Sequence, residues 1–115
     1  MDLTLEEHAR NGWLVIEVKG ELDMATAPQL TTRLLELIAT GHTHMVVALT
    51  SLAFMDSSGL NALLTGWKSE KEHGGTLRVV CSPTPALTVL HLSGVDQIIP
   101  VYSTLAEALA GPVAD

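Results

Sequence analysis

The sequence predicts one α/β domain spanning residues 1–115, built on a mixed, mostly parallel sheet of about five strands with four helices, in the order β-β-α-β-α-β-α-β-α. Three observations predict it. Apolar, β-branched runs alternate with segments whose leucines recur at helical spacing, which implies crossover connections between parallel strands. Asn11-Gly12 between two strand-like runs is a hairpin signal, so the opening pair is antiparallel. Met45-Val46-Val47-Ala48-Leu49 is a short continuous apolar run, the pattern of a central strand buried on both faces.

Taken in order, Leu3 to Glu7 reads as a short first strand and Trp13 to Lys19 as the second, ended by Gly20. The stretch from Glu21 to Pro28 is a loop running into a helix, with Thr26 or Asp23 as candidate cap and Pro28 in the first turn. Leu30, Leu34, Leu37 and Ile38 form its apolar stripe, widened by Leu35, and Gly41 stops it. After the third strand, Leu60, Leu63, Leu64 and Trp67 mark a second helix that ends near His73-Gly74-Gly75. Thr76 to Cys81 reads as the fourth strand. Ser82-Pro83-Thr84-Pro85 opens a third helix carrying Leu87, Leu90 and Leu92, closed by Gly94. Ile98 to Tyr102 completes the strands, and Ser103 caps a last helix with Leu105 and Leu109.

Composition narrows the function. Apolar residues make up 47% of the 115 positions, enough for a core and unlike a disordered tail. Six Lys and Arg against 13 Asp and Glu give a net charge of −7, with no basic stretch. Nucleic acid and anionic membrane surfaces are therefore excluded as expected partners. The longest apolar run is far short of the ~20 residues a membrane span needs. MDLTLEEHAR lacks the pattern of a secretory signal, so the expected location is the cytoplasm. Cys81 is the single cysteine and reads as a buried thiol beside the apolar Val79 and Val80. No apolar stripe is left over beyond the core faces, which predicts a monomer when free.

Chemistry concentrates in Phe54-Met55-Asp56-Ser57-Ser58-Gly59-Leu60, between a buried strand and a helix. Small polar residues there expose backbone N–H groups and the positive end of the helix dipole, which suits an anion. The plain reading is that Asp56 or Ser57 is an N-cap. A hydrolase elbow, G-x-S-x-G, fits neither Ser57 nor Ser58. A P-loop is absent. His8, His42, His44, His73 and His91 show no metal-ligand spacing, so they read as surface histidines and no metal is expected. Asp23 alone reads as a cap or turn residue.

Together these residues resemble the STAS-domain anti-sigma factor antagonists of bacteria. Gly20-Glu21-Leu22-Asp23 and the Phe54–Leu60 string about thirty residues later carry the resemblance, supported by Gly74-Gly75 and Leu92-Ser93-Gly94-Val95. It covers about residues 3–110. The resemblance implies a sheet shielded mainly on one face and a binding switch in place of an enzyme. In that family the unphosphorylated protein binds an anti-sigma factor, usually a GHKL-type serine kinase, and frees the sigma factor. The kinase then phosphorylates a serine of this motif, and a PP2C-type phosphatase resets it. By position the acceptor is Ser57. Asp56 orients the loop, Ser58 and Gly59 shape it, Gly59 lets the helix begin close to the partner, and Asp23 lies on the partner-facing surface. The protein itself needs no cofactor, since ATP and Mg²⁺ belong to the kinase. Many members carry Asp or Asn near the end of the third strand, where this chain has Ala48-Leu49-Thr50. The alternative within the family is a non-catalytic scaffold module of a stress-sensing or transport-regulating assembly.

Overall fold

The computed structural model describes residues 2–110. Strands β1 (Leu3–Arg10) and β2 (Trp13–Leu22) form the hairpin, in register from Leu3 opposite Gly20 to Arg10 opposite Trp13. Asn11 and Gly12 turn it, with φ of 52° and 84°, the left-handed pair that a tight two-residue hairpin requires. Helix α1 (Ala27–Ala39), β3 (His44–Ala48), β4 (Leu52–Met55), α2 (Ser57–Glu72), β5 (Thr76–Val80), α3 (Pro85–Ser93), a 3₁₀ turn (Val95–Gln97), β6 (Val101–Tyr102) and α4 (Leu105–Ala110) follow.

The sheet has six strands, one more than expected. Its order is β1-β2-β3-β5-β6, and all pairs beyond the hairpin are parallel. The added strand is β4, which follows β3 along the same flank of β2. The first half of β2 pairs with β3 and its last residues with β4. Gly20 does not end β2, as the sequence suggests, but sits at a register shift within it at φ 106°. A Cβ there would lie 2.2 Å from the Asp2 carbonyl oxygen, so no larger residue fits this bend without movement.

Helices α1, α2 and α3 cover one face. There Ile16, Val18, Val47, Leu77 and Val79 of the strands meet Leu30, Leu34, Leu63 and Leu90 of the helices. The other face is smaller, with Trp13, Val15, Val46, Ala48 and Val80 covered by Ala108 of α4. Arg78 lies buried on this second face. Its guanidinium is 4.5 Å from the Trp13 ring centre and 5.5 Å from that of Tyr102, and Nη1 donates to the Ala108 carbonyl at 2.7 Å. Aromatic faces and a helix C-terminal carbonyl thus replace the water that this cation gives up.

Local readings change in four places. Leu92 is 84% exposed, because it stands two residues from the buried Leu90 and hence on the opposite side of α3. The last strand begins only at Val101, after Ile98 to Pro100, since proline has no N–H for the ladder. Thr104, not Ser103, starts α4: its Oγ1 accepts from the Glu107 N–H and Glu107 accepts from the Thr104 N–H, both at 3.2 Å, a reciprocal capping box. The buried face of α2 is Gly59, Ala62, Leu63, Gly66 and Glu70, with Leu60, Leu64 and Trp67 flanking it. No helix among the described residues is long and apolar enough to cross a membrane.

Candidate functional site

The parallel strands β2 and β4 end side by side, with Leu22 opposite Met55. The chain therefore leaves the sheet at two adjacent points, Asp23 and Asp56, tied by an Asp56 N–H bond to the Leu22 carbonyl at 3.2 Å. This is the carboxyl edge of a parallel sheet, where loops have room to build a site.

Asp56 is the N-cap of α2. Its extended backbone turns the carboxylate toward the first turn, where Oδ1 accepts from the Ser58 N–H at 2.8 Å. The plain capping reading of Asp56 therefore holds, and it leaves Ser57 and Ser58 in different surroundings. Ser57 is the first helical residue and is exposed, at the positive end of the dipole. Ser58 is half-buried and lines a groove between α1 and α2. Gly59 is buried. A Cβ on it would lie 2.6 Å from Met55 Cγ and 2.9 Å from Leu22 Cδ2, so its missing side chain makes room for this chain's own strand ends. The sequence reading assigned that room to a partner. The geometry assigns it to the core.

Asp23 is occupied within its own loop. Its Oδ1 accepts from the Ala25 N–H at 2.9 Å and the Thr26 N–H at 3.0 Å. The Thr26 hydroxyl donates to the Glu21 carbonyl at 2.7 Å and accepts from the Asp23 N–H at 2.9 Å. Of the two candidate caps, the buried Thr26 occupies the N-cap position of α1 with its side chain tied backward and making no capping bond, while Asp23 takes the free donors of the loop. The Thr26 N–H, followed by that of Ala25, holds the Asp23 carboxyl below its ordinary value. The knot presents Met24, a residue the sequence reading passed over, at 79% exposure. Met24 borders the α1–α2 groove of about 400 Å³, together with Pro28, Thr31, Ser58, Asn61 and Thr65.

The remaining polar clusters resolve into local side-chain pairs. Glu6, His8 and Glu17 lie within reach of one another on the hairpin. His8 Nε2 stands 2.8 Å from Glu17 Oε2, within hydrogen-bond distance, and Lys19 Nζ 3.1 Å from Glu6, so each of the two carboxylates facing across the strands has a partner of its own. The depression between β1 and α1 is bridged by Arg33 and Glu7, whose Nη2 and Oε1 are 2.9 Å apart. Cys81 is buried, and burial pushes its thiol up from its ordinary value.

Residues 3–108 match the STAS domain. The chain is 34% identical over 110 residues to an anti-sigma F factor antagonist of Paenibacillus polymyxa, covering 95% of this chain and 94% of the relative. In structure it is similar to an anti-sigma factor antagonist from Mycobacterium paratuberculosis, with a TM-score of 0.86, 30% identity, and coverage of 94% of this chain and 92% of that one. It is also similar to the Bacillus cell fate determinant SpoIIAA solved in its phosphorylated form, with a TM-score of 0.69, 26% identity, and coverage of 94% and 96%. These relatives are named for what they antagonise or determine, not for a reaction that they catalyse.

Proposed function

The chain belongs to the STAS domain family, and from that premise we propose that it is an anti-sigma factor antagonist switched by phosphorylation of Ser57. The unphosphorylated form binds a GHKL-type anti-sigma factor serine kinase in the cytoplasm and releases the sigma factor. Transfer of a phosphoryl group to Ser57 ends the complex, and a PP2C-type phosphatase restores it. The free protein is a monomer. Asp23, Asp56, Ser57 and Ser58 bound the partner-facing surface, and Gly59 serves it by setting the height of α2 above the strands. The observation that carries this reading is the exposure of the Ser57 hydroxyl at the first position of α2, beside a carboxylate already bound to the next N–H.

The physics of the switch is local. A phosphate on Ser57 adds about −1.5 to −2 charge. The free protein tolerates it, because the helix end supplies a favourable field and solvent reaches the group. In a docked complex the same phosphate loses its water or faces other charges. A charge left there without a partner costs on the order of 2–5 kcal/mol. That corresponds to about 30- to 4,000-fold weaker binding. The phosphorylated state of SpoIIAA supports the reading by analogy of fold.

The test is intact-mass and peptide mass spectrometry after incubation with ATP and each GHKL-type kinase of the source organism. One phosphate on Ser57, lost in Ser57→Ala, is expected. No modification by any kinase, with stable binding to a large non-kinase protein, would replace the switch with a scaffold role.

A further inference from the structure

We propose that Met24 and the groove beside it form the seat for one uncharged, apolar side chain of the docking protein, and that Met24 governs the affinity for that partner. This rests on the reading that a protein docks over Ser57, and it adds what the surface takes and where.

Three observations carry it. First, Met24 is 79% exposed, yet it sits on a loop held by Asp23 Oδ1 and the Thr26 hydroxyl through the bonds to Ala25, Thr26 and Glu21. The fold gains nothing from holding an apolar side chain in water. Binding does gain, because the loop is ordered before the partner arrives and that entropy is not lost on docking. Second, the groove wall of Met24, Pro28, Thr31, Ser58, Asn61 and Thr65 has no ionisable group. The chain as a whole carries 19 charged side chains, 13 acidic and 6 basic, so an uncharged groove at this edge is a distinct feature. Third, Asp23 and Asp56 stand at the strand ends beside it. An acidic occupant is repelled there, and a basic one finds no counter-charge inside the groove. A Leu, Ile or Met side chain leaves water against Met24, whose unbranched thioether adapts to such shapes. The neighbours of that side chain on the partner are neutral or basic.

The two serines then divide the work. Ser58 lines the seat, whereas Ser57 stands outside it, so a phosphate acts at the margin and leaves the groove empty.

The test is calorimetric titration of each purified GHKL-type kinase of the source organism with the full chain and with Met24→Ser, Met24→Leu and Asn61→Trp. Both positions are exposed, and melting curves check that each variant folds. With a kinase that binds the wild type, Met24→Ser is expected to bind about 30-fold more weakly, as truncated interface anchors do. Met24→Leu should stay within about threefold, and Asn61→Trp should lose at least about tenfold by covering the groove. In phosphorylation assays Met24→Ser should raise KM and leave kcat unchanged, because it removes docking and not chemistry. Wild-type affinity in Met24→Ser or in a folded Asn61→Trp overturns the seat while leaving the Ser57 reading intact. Failure of every kinase to bind the wild type overturns both.

Discussion

The two ends of helix α2 treat polar groups in opposite ways. At the amino end the Asp56 carboxylate holds the Ser58 N–H, the Asp56 N–H reaches the Leu22 carbonyl, and the Ser57 hydroxyl stands in water. At the carboxyl end Glu70 is 0% exposed, and neither of its carboxylate oxygens has a hydrogen-bond partner among the described residues. It is pressed against the Gly75 backbone, where a Cβ would lie 2.4 Å from its Oε1 and equally close to the Thr43 carbonyl oxygen. Burial pushes its carboxyl up to about 7, with His73 pulling weakly the other way. One end can therefore accept added charge without disturbing the core, while the other suppresses a charge that the sequence put there. The lesson is that the same helix carries a site at the end where polar groups are satisfied or hydrated, and a strained element of stability at the end where they are not.

Several changes would break or sharpen this contrast. The largest effect is expected at Ser57: Ser57→Ala should keep kinase binding and abolish phosphate incorporation, read by intact mass. Full incorporation in that variant would move the acceptor to Ser58 and blur the division between the two serines. Leu63, fully buried midway between the ends, is expected to cost about 2–5 kcal/mol as Ala, measured by denaturant unfolding. An unchanged unfolding midpoint would mean that α2 does not couple its ends to the core through this face.

Glu70 sharpens the comparison through pH. Its folded value is raised, so the native state holds its proton where the unfolded chain has released it. The associated stability is complete below about 4.5, the ordinary value, and is lost as pH rises through about 7. Glu70→Gln should flatten that window and be the more stable form above it, by on the order of 1–3 kcal/mol. Urea midpoints of both proteins on either side of the window read this directly. Parallel profiles would place Glu70 in water. The smallest effect is expected at Asp56: Asp56→Ala removes the cap and should cost about 1 kcal/mol, detected as a lowered melting temperature.

Much of this was legible in the residues because the signals are local. Asn11-Gly12 specifies its own turn, the Met45–Leu49 run specifies a strand buried on both sides, and Gly94 closes α3 with φ 80°. A cap at Asp56 or Ser57 reads from type and position alone, and the structure gives it to Asp56. Strand β4 was not legible, since Leu52 and Met55 are buried around an exposed Ala53 and Phe54, with no alternation to mark a strand. It exists because the end of β2 offers it hydrogen bonds. The packed face of α2 was legible only in part for a related reason. Apolarity points to Leu60, Leu63, Leu64 and Trp67, of which Leu63 is fully buried and the others flank the face, but α1 approaches so closely that small residues are needed as well, and a Cβ at Gly66 would lie 2.7 Å from Leu34 Cδ1.

The sequence by itself determined the order of elements apart from β4, the hairpin, the fold class and the serine at a helix start, because each follows from backbone propensities over a few residues. Tertiary structure alone decided that Asp23 and Asp56 emerge side by side, that Gly59 faces the core, that Met24 borders a groove and that Glu70 is buried. Those facts depend on the register of strands distant in sequence, Leu22 opposite Met55, and on the distance between helices. Neither quantity is written in any local stretch of chain, because both are set by how all the side chains pack together.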